Sequence, residues 1–203
     1  MKFLLLMLGL LCSNLAQAAL IQLQPEQGYD QNIRSYQQGE TIRLELKITD
    51  VTEPLAAFWT QIMYQPAGLK LQHWAFGNGL NAGSGSLQFA EHNAAAGFIM
   101  LDEYTFAATD KTLLAAAQQP GFVLATLTFQ ALQPGDFQLV FNQNWLGAES
   151  VAGQLINTQS ADFTLKVAAT EVPAPATALL LLAGITLLSS RRGRLWRNNK
   201  AGK

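Results

Sequence analysis

Apolar and polar residues alternate along much of the middle of this chain. Between Thr41 and Asp50, Ile42, Leu44, Leu46 and Ile48 fall on one side and Arg43, Glu45 and Lys47 on the other. A period of two marks a strand with one buried face and one wet face. The same pattern predicts strands over Leu20–Gln24, Ala57–Tyr64, Leu69–Trp74, Gly97–Phe106, Phe122–Leu132, Phe137–Asn142 and Asp162–Val167. Turn chemistry separates them at Gln65-Pro66-Ala67-Gly68, Pro120-Gly121 and Pro134-Gly135-Asp136. Gly77 to Ser86 is a loop rich in Gly, Ser and Asn. Thr109 to Ala117 breaks the alternation and predicts a short capped helix, stopped by Pro120-Gly121. No internal repeat is visible. Eight or nine strands with one short helix predict an all-β fold, an antiparallel β-sandwich or jelly roll, over residues 19–168. A domain of about 150 residues buries roughly 68–70% of its unfolded surface, enough for a core without disulfides.

The two ends are patterned differently. Lys2 followed by an apolar run from Phe3 to Leu11 and by Ala16-Gln17-Ala18 predicts a signal peptide over 1–18, cut between Ala18 and Ala19. At about ten apolar residues this run is short of the ~20 that span a bilayer. Cys12 is the single cysteine. Leu11 stands where a lipoprotein signal wants a small residue, so Cys12 leaves with the signal and the mature chain has no thiol chemistry. After a linker over 169–175, an uncharged apolar run from Ala176 to Ser190 predicts a single transmembrane helix, followed by a basic tail over 191–203. Fifteen helical residues reach about 22 Å against a hydrocarbon core of ~30 Å, a gap that snorkelling arginines or local thinning closes. The positive charge after the run puts the C-terminus in the cytoplasm and the middle domain outside.

Those C-terminal residues resemble the PEP-CTERM sorting signal of Gram-negative bacteria that make exopolysaccharide. Val172-Pro173-Ala174-Pro175 stands for its Pro-Glu-Pro-like motif, with Ala174 in place of the usual Glu, and Arg191, Arg192 and Arg194 stand for its arginine cluster. The resemblance covers about 26 residues. It implies cleavage near the prolines by a membrane processing enzyme, an exosortase. Two prolines keep that stretch extended and out of the following helix, where a protease can grip it. A plain single-span anchor is the simpler alternative.

Composition sharpens the picture of the middle. Charged residues are only 13% of the chain, against roughly 25% in ordinary globular proteins, and the surplus of apolar residues sits at the ends. Between 19 and 172 there are six basic residues (Arg34, Arg43, Lys47, Lys70, Lys111, Lys166) and all 14 acidic ones. A domain so acidic lacks the basic face of a nucleic-acid binder. His73 and His92 offer no zinc spacing, Ser84 lies in no nucleophile elbow, and no phosphate loop is present. Gly77-Asn78-Gly79 precedes no helix, which argues for a hairpin loop over a dinucleotide site. Asp102 and Glu103 are strand neighbours and point to opposite faces, so they form no paired-acid site with each other. Asp30, Asn32, Asp50, Asp110 and Asp136 lack EF-hand spacing and fit loop capping. No catalytic residue, cofactor or metal is predicted.

Three segments resemble a cohesin-like, carbohydrate-binding-module-like domain. They are G-E-T-I-R-L-E-L-K-I-T-D-V (39–51), F-W-T-Q-I-M-Y-Q-P-A-G-L-K-L (58–71), with Gln65 where the family has Asp, and P-G-F-V-L-A-T-L-T-F-Q-A-L (120–132). They keep the family's order and imply its sandwich. Cohesins proper bind dockerins, but no dockerin-binding surface is legible here. Trp74, Phe76 and Trp145 are candidate ligand contacts, since flat aromatic faces suit sugar rings. Trp59 and Tyr64, at odd separation, should face opposite sides. The expectation is an exported, non-catalytic structural or binding module. It is first an inner-membrane-anchored precursor and then resides in the envelope or extracellular matrix. Its ligand is expected to be a polysaccharide or another envelope protein. A carbohydrate-binding module for exopolysaccharide is the first alternative and a polysaccharide-active enzyme the second.

Overall fold

The computed structural model describes residues 18–26, 35–82, 84–106 and 110–170. The expected signal segment up to Gln17, the expected sorting motif Val172–Pro175, the apolar run 176–190 and the basic tail lie outside the described residues. No helix among the described residues is long and apolar enough to cross a membrane.

The strands, in chain order, are β1 (Ala19–Pro25), β2 (Tyr36–Gln37), β3 (Thr41–Thr49), β4 (Leu55–Met63), β5 (Leu69–Phe76), β6 (Ser86–Asn93), β7 (Phe98–Thr105), β8 (Gly121–Ala131), β9 (Gly135–Ser150), β10 (Leu155–Ile156), β11 (Thr158–Ala161) and β12 (Phe163–Ala168). Helix α1 spans Lys111–Gln118, between β7 and β8. The expected eight or nine strands are thus exceeded among the described residues. β2, β10 and β11 are too short to show a period, and β6 has no clean alternation of apolar and polar residues. The expected strand Phe137–Asn142 is the first half of a much longer β9.

Two sheets face each other. The first runs β11-β1-β3-β8-β5, and the second β2-β12-β9-β4-β7-β6, with β10 on the flank of β9. Pairing is antiparallel except for β1 with β11 and β12 with β2. The alternation dictates the core. Ile42, Leu44, Leu46 and Ile48 of β3 turn inward beside Leu127 and Phe129 of β8. They meet Phe58 and Ile62 of β4, Ile99 and Leu101 of β7, and Leu139 and Phe141 of β9 from the other sheet. Each such side chain contributes roughly 1.5–3 kcal/mol by leaving water. Bulges bend the sheets: β3 and β8 lose register at Leu46/Lys47, and β4 and β9 at Thr60/Ile62.

Asp110 caps α1 by accepting the Thr112 N–H at 2.7 Å, the role expected of a loop aspartate. The helix is then tied down at its other end. Gln118, 3% exposed, accepts the Leu55 N–H at 2.7 Å and donates to Leu55 O at 3.0 Å and Gly79 O at 3.1 Å. One side-chain amide therefore joins α1, the start of β4 and the 77–82 loop. Asp50 takes a positive φ of 58° where the chain leaves β3.

Candidate functional site

The outward side of β9, β4, β7 and β6 is the part of the surface that alternation alone would have left polar. Instead it carries rows of apolar and aromatic residues. Register places Phe89, Asp102, Trp59 and Gly147 in one row across the four strands. Leu87, Tyr104, Ala57 and Glu149 form the next row, and Glu91, Met100 and Gln61 the row on the other side. Phe89 is 53% exposed, Leu87 48% and Tyr104 40%. The Phe89 and Tyr104 rings meet edge to face, 6.5 Å between centroids. Trp145, 41% exposed, stands where the β4–β9 register shifts, so the bulge lifts it out of the sheet. Gly147 exists for Trp59: a methyl group at 147 would overlap the indole.

Asp102 lies at the centre of this surface. Burial raises its pKa, and a hydrogen bond from the Trp145 side chain opposes the rise. Its Oδ1 is buried with no partner among the described residues. Tyr104 is also raised, first by burial and then by the charges of Asp102 and Glu149. β4, β6, β7 and β9 contain no Lys or Arg. The surface therefore presents aromatic rings and three carboxylates, Glu91, Asp102 and Glu149, with no cation on those strands to neutralise them. Beside Phe89 it dips into an open groove of about 270 Å³, lined by Phe89, Ala90, Glu91, Met100 and Asp102. Asn142 donates from Nδ2 to Gln61 Oε1, adding an amide pair to the same face.

No protein-family model matches the chain, and no curated protein matches it. Solved structures do. A type II cohesin domain from the cellulosome of Acetivibrio cellulolyticus matches with a TM-score of 0.59 at 15% identity, over 73% of this chain and 95% of that one. A type I cohesin solved in complex with a dockerin, from Clostridium thermocellum, gives 0.59 at 10% identity, over 74% and 99%. A non-cellulosomal cohesin from the archaeon Archaeoglobus fulgidus gives 0.53 at 12% identity, over 74% and 91%. The fold is cohesin-like.

Within this cohesin-like sandwich the three aromatics singled out from sequence part company. Trp145 lies on the exposed outer face. Trp74 and Phe76 do not join it: both are partly buried and pack against the core. The shift in β5 register at Leu71/His73 turns them inward, where Trp74 meets the His92 ring and Phe76 meets Phe58. Trp59 and Tyr64 do face opposite sides. Trp59 is half-buried on the outer face, and Tyr64 is 6% exposed in the core with its hydroxyl 2.7 Å from His92 Nε2. Asp102 and Glu103 likewise diverge. Glu103 points inward at 1% exposure, and its Oε1 accepts from Ser86 Oγ at 2.5 Å and Gln88 Nε2 at 2.9 Å. Its Oε2 has no partner among the described residues, and burial raises its pKa against the pull of those two hydrogen bonds. Among the described residues no three His, Cys, Asp or Glu side chains are grouped to hold a metal. Phe89 and Tyr104 were not legible as site residues. Their signal was the recurrence of Leu87, Phe89 and Glu91 on one side of a segment too polar to stand out.

Proposed function

We propose that this chain is an exported, non-catalytic binding module of the cell envelope or extracellular matrix. It grips its partner with the aromatic face of β9, β4, β7 and β6. The observation that carries the reading is the Phe89–Asp102–Trp59 row with Trp145 and Tyr104 beside it. Monomeric proteins rarely leave contiguous apolar surface in water unless something covers it. The carboxylates and the missing cations favour a protein partner that brings Lys or Arg, held by charge and by cation–π contact with the rings. A protein partner also agrees with the fold, since the Clostridium thermocellum cohesin it resembles was solved with a dockerin bound.

A polysaccharide ligand is the second reading, favoured by the Gln61–Asn142 amide pair and Asp102 lying among aromatic rings. Rings take the apolar faces of sugars, and the amides and carboxylate take hydroxyls. Glu91 and Asp102 share the groove, diagonal across β6 and β7. The groove is open, and nothing in it encloses a sugar ring, so it suits holding a chain better than cutting one.

Delivery follows from the tail, with Pro173 and Pro175 presented to an exosortase and Arg191, Arg192 and Arg194 holding the precursor in the inner membrane. The test of the face is a photo-crosslinking residue at Trp145, with the same residue at Gln72 on the other sheet as control, in the native host. Adducts with one envelope protein at 145 alone support the protein reading. Retardation in gels containing the host's exopolysaccharide, lost with Trp145→Ala, supports the sugar reading. Release of reducing ends that depends on Glu91 and Asp102 would make it an enzyme. A chain that does none of these refutes the proposal.

A further inference from the structure

The strands that end the two sheets differ in how they are guarded. An edge strand exposes a row of unpaired backbone groups, and proteins blunt it by shortness, by a bulge, or with Lys or Pro. β11 has four residues and β2 two. β5 is long, but it carries Lys70 and a bulge at Leu71/His73. β6 has none of these devices. It pairs with β7 over all eight of its residues without a register shift, contains no Pro, Lys or Arg, and exposes Leu87 and Phe89. No described strand pairs with its other side.

The hydrogen-bond parity of that free side is fixed. Phe106 N donates to Gly85 O across the β6–β7 ladder, and Tyr64 N to Gly97 O across the β4–β7 ladder. Residues 87, 89, 91 and 93 therefore spend their backbone groups on β7, and Ser86, Gln88, Ala90 and His92 turn theirs outward. The side chains of those outward-turned residues are already committed. Ser86 and Gln88 hydrogen-bond to the buried Glu103, His92 to Tyr64, and Ala90 has nothing to commit. The free edge is thus straight and held from behind, so little side-chain freedom remains to be lost on pairing.

We propose that β6 is a self-association strand, and that its occupant is the β6 of a second copy of this chain, antiparallel about a two-fold axis at Phe89. In this register the backbone donors and acceptors match themselves, and Leu87 faces Glu91 of the second copy. Phe89 faces Phe89 of the second copy as a non-hydrogen-bonded pair, with Leu87 diagonal to it. Gln88 exchanges N–H and C=O with Ala90, and Ser86 with His92. Cross-strand aromatic pairs are the favourable kind. The second sheets of the two copies then join into one, with both aromatic faces on the same side. This association does not depend on what those faces bind.

The test uses the full-length protein in a Cys12→Ser background. Ala90→Pro removes an N–H that the β6–β7 ladder does not use, at an edge position where Pro is tolerated. Phe89→Lys adds the missing guard charge. Sedimentation of the detergent-solubilised protein should give a dimer for the parent and a monomer for both variants, with equal melting temperatures at concentrations too low for the parent to dimerise. Phe89→Cys should form a disulfide-linked dimer in the native membrane on mild oxidation, because directly opposed non-hydrogen-bonded residues lie ~4.5 Å apart at Cα, within disulfide reach. Gln72→Cys, on β5, should not. A parent that is monomeric up to ~100 µM, well above the micromolar range of a working dimer, overturns the proposal. So does a dimer that survives Ala90→Pro, or Phe89→Cys crosslinked only to a different protein.

Discussion

Replacing Gln118 with Ala should cost this domain a large part of its stability, although the residue touches no part of the aromatic face. The amide makes three buried hydrogen bonds, two with the backbone of Leu55 and one with Gly79 O. Truncation leaves one N–H and two C=O groups without the amide that satisfied them. At about 1–3 kcal/mol per orphaned group, less where a carbonyl has another partner, the loss is about 3–6 kcal/mol. Domains of this size are stable by only ~5–15 kcal/mol. With about 2–4 °C of melting temperature per kcal/mol, the drop should be roughly 10–20 °C by circular dichroism. Gln118→Glu sharpens the test. It keeps an acceptor for Leu55 N–H but sets an oxygen against two carbonyls, so folding favours the protonated acid and raises its pKa. The variant should therefore be most stable below the unfolded-state value of ~4.3 and lose that stability as pH rises through the folded-state value. If Gln118→Ala melts within ~2 °C of the parent, less than 1 kcal/mol by the same conversion, the tether is not structural and the reasoning fails.

Glu103 gives a native counterpart, since burial raises its pKa above the ordinary 4.5. Urea denaturation between pH 4 and 9 should show its stabilising contribution present below 4.5 and lost as pH climbs through the raised value, and Glu103→Gln should flatten that part of the curve. Gly147→Ala should push the Trp59 indole off the sheet, seen as a shift in tryptophan fluorescence, at a cost of about 1–3 kcal/mol. On the proposed delivery route, Pro173→Ala with Pro175→Ala should leave full-length protein at the membrane, whereas immunoblots should show the parent trimmed. N-terminal sequencing of the exported form should begin at Ala19.

The sandwich was legible because β3 and β8 alternate cleanly, and the alternation is itself the cause of the burial. The helix was legible from Asp110 and the Pro120-Gly121 stop. What escaped was set by partners far away in sequence. β6 is a strand because β7 templates it, and its own residues, Ser86-Leu87-Gln88-Phe89-Ala90-Glu91, state no clear period. Trp74 and Phe76 were candidate ligand contacts, and facing outward would require β5 to keep its register past Leu71. A bulge cannot be seen in a sequence that holds two polar residues in a row, Gln72 and His73, for either reason. The outer face was legible only one strand at a time. Trp59, Asp102, Phe89 and Trp145 become a surface when four strands are laid side by side, and neither their order in the sheet nor their register is written locally.

The first residue of β1 also sets a clock. Ala19 is 1% exposed, and its N–H is held by Asn157 O, because its strand position pairs with β11 and lies just outside the ladder with β3. If residues 1–18 are removed as proposed, the peptidase reaches the Ala18–Ala19 bond freely only until Asn157 arrives. Nearly 140 residues must be made in between, which at ~5–20 residues per second leaves a window of about 7–28 s. On that proposal, removal of residues 1–18 and closure of the sandwich are in a race. A chain that folds before it is trimmed would bury the site of its own maturation beneath the parallel β1–β11 seam.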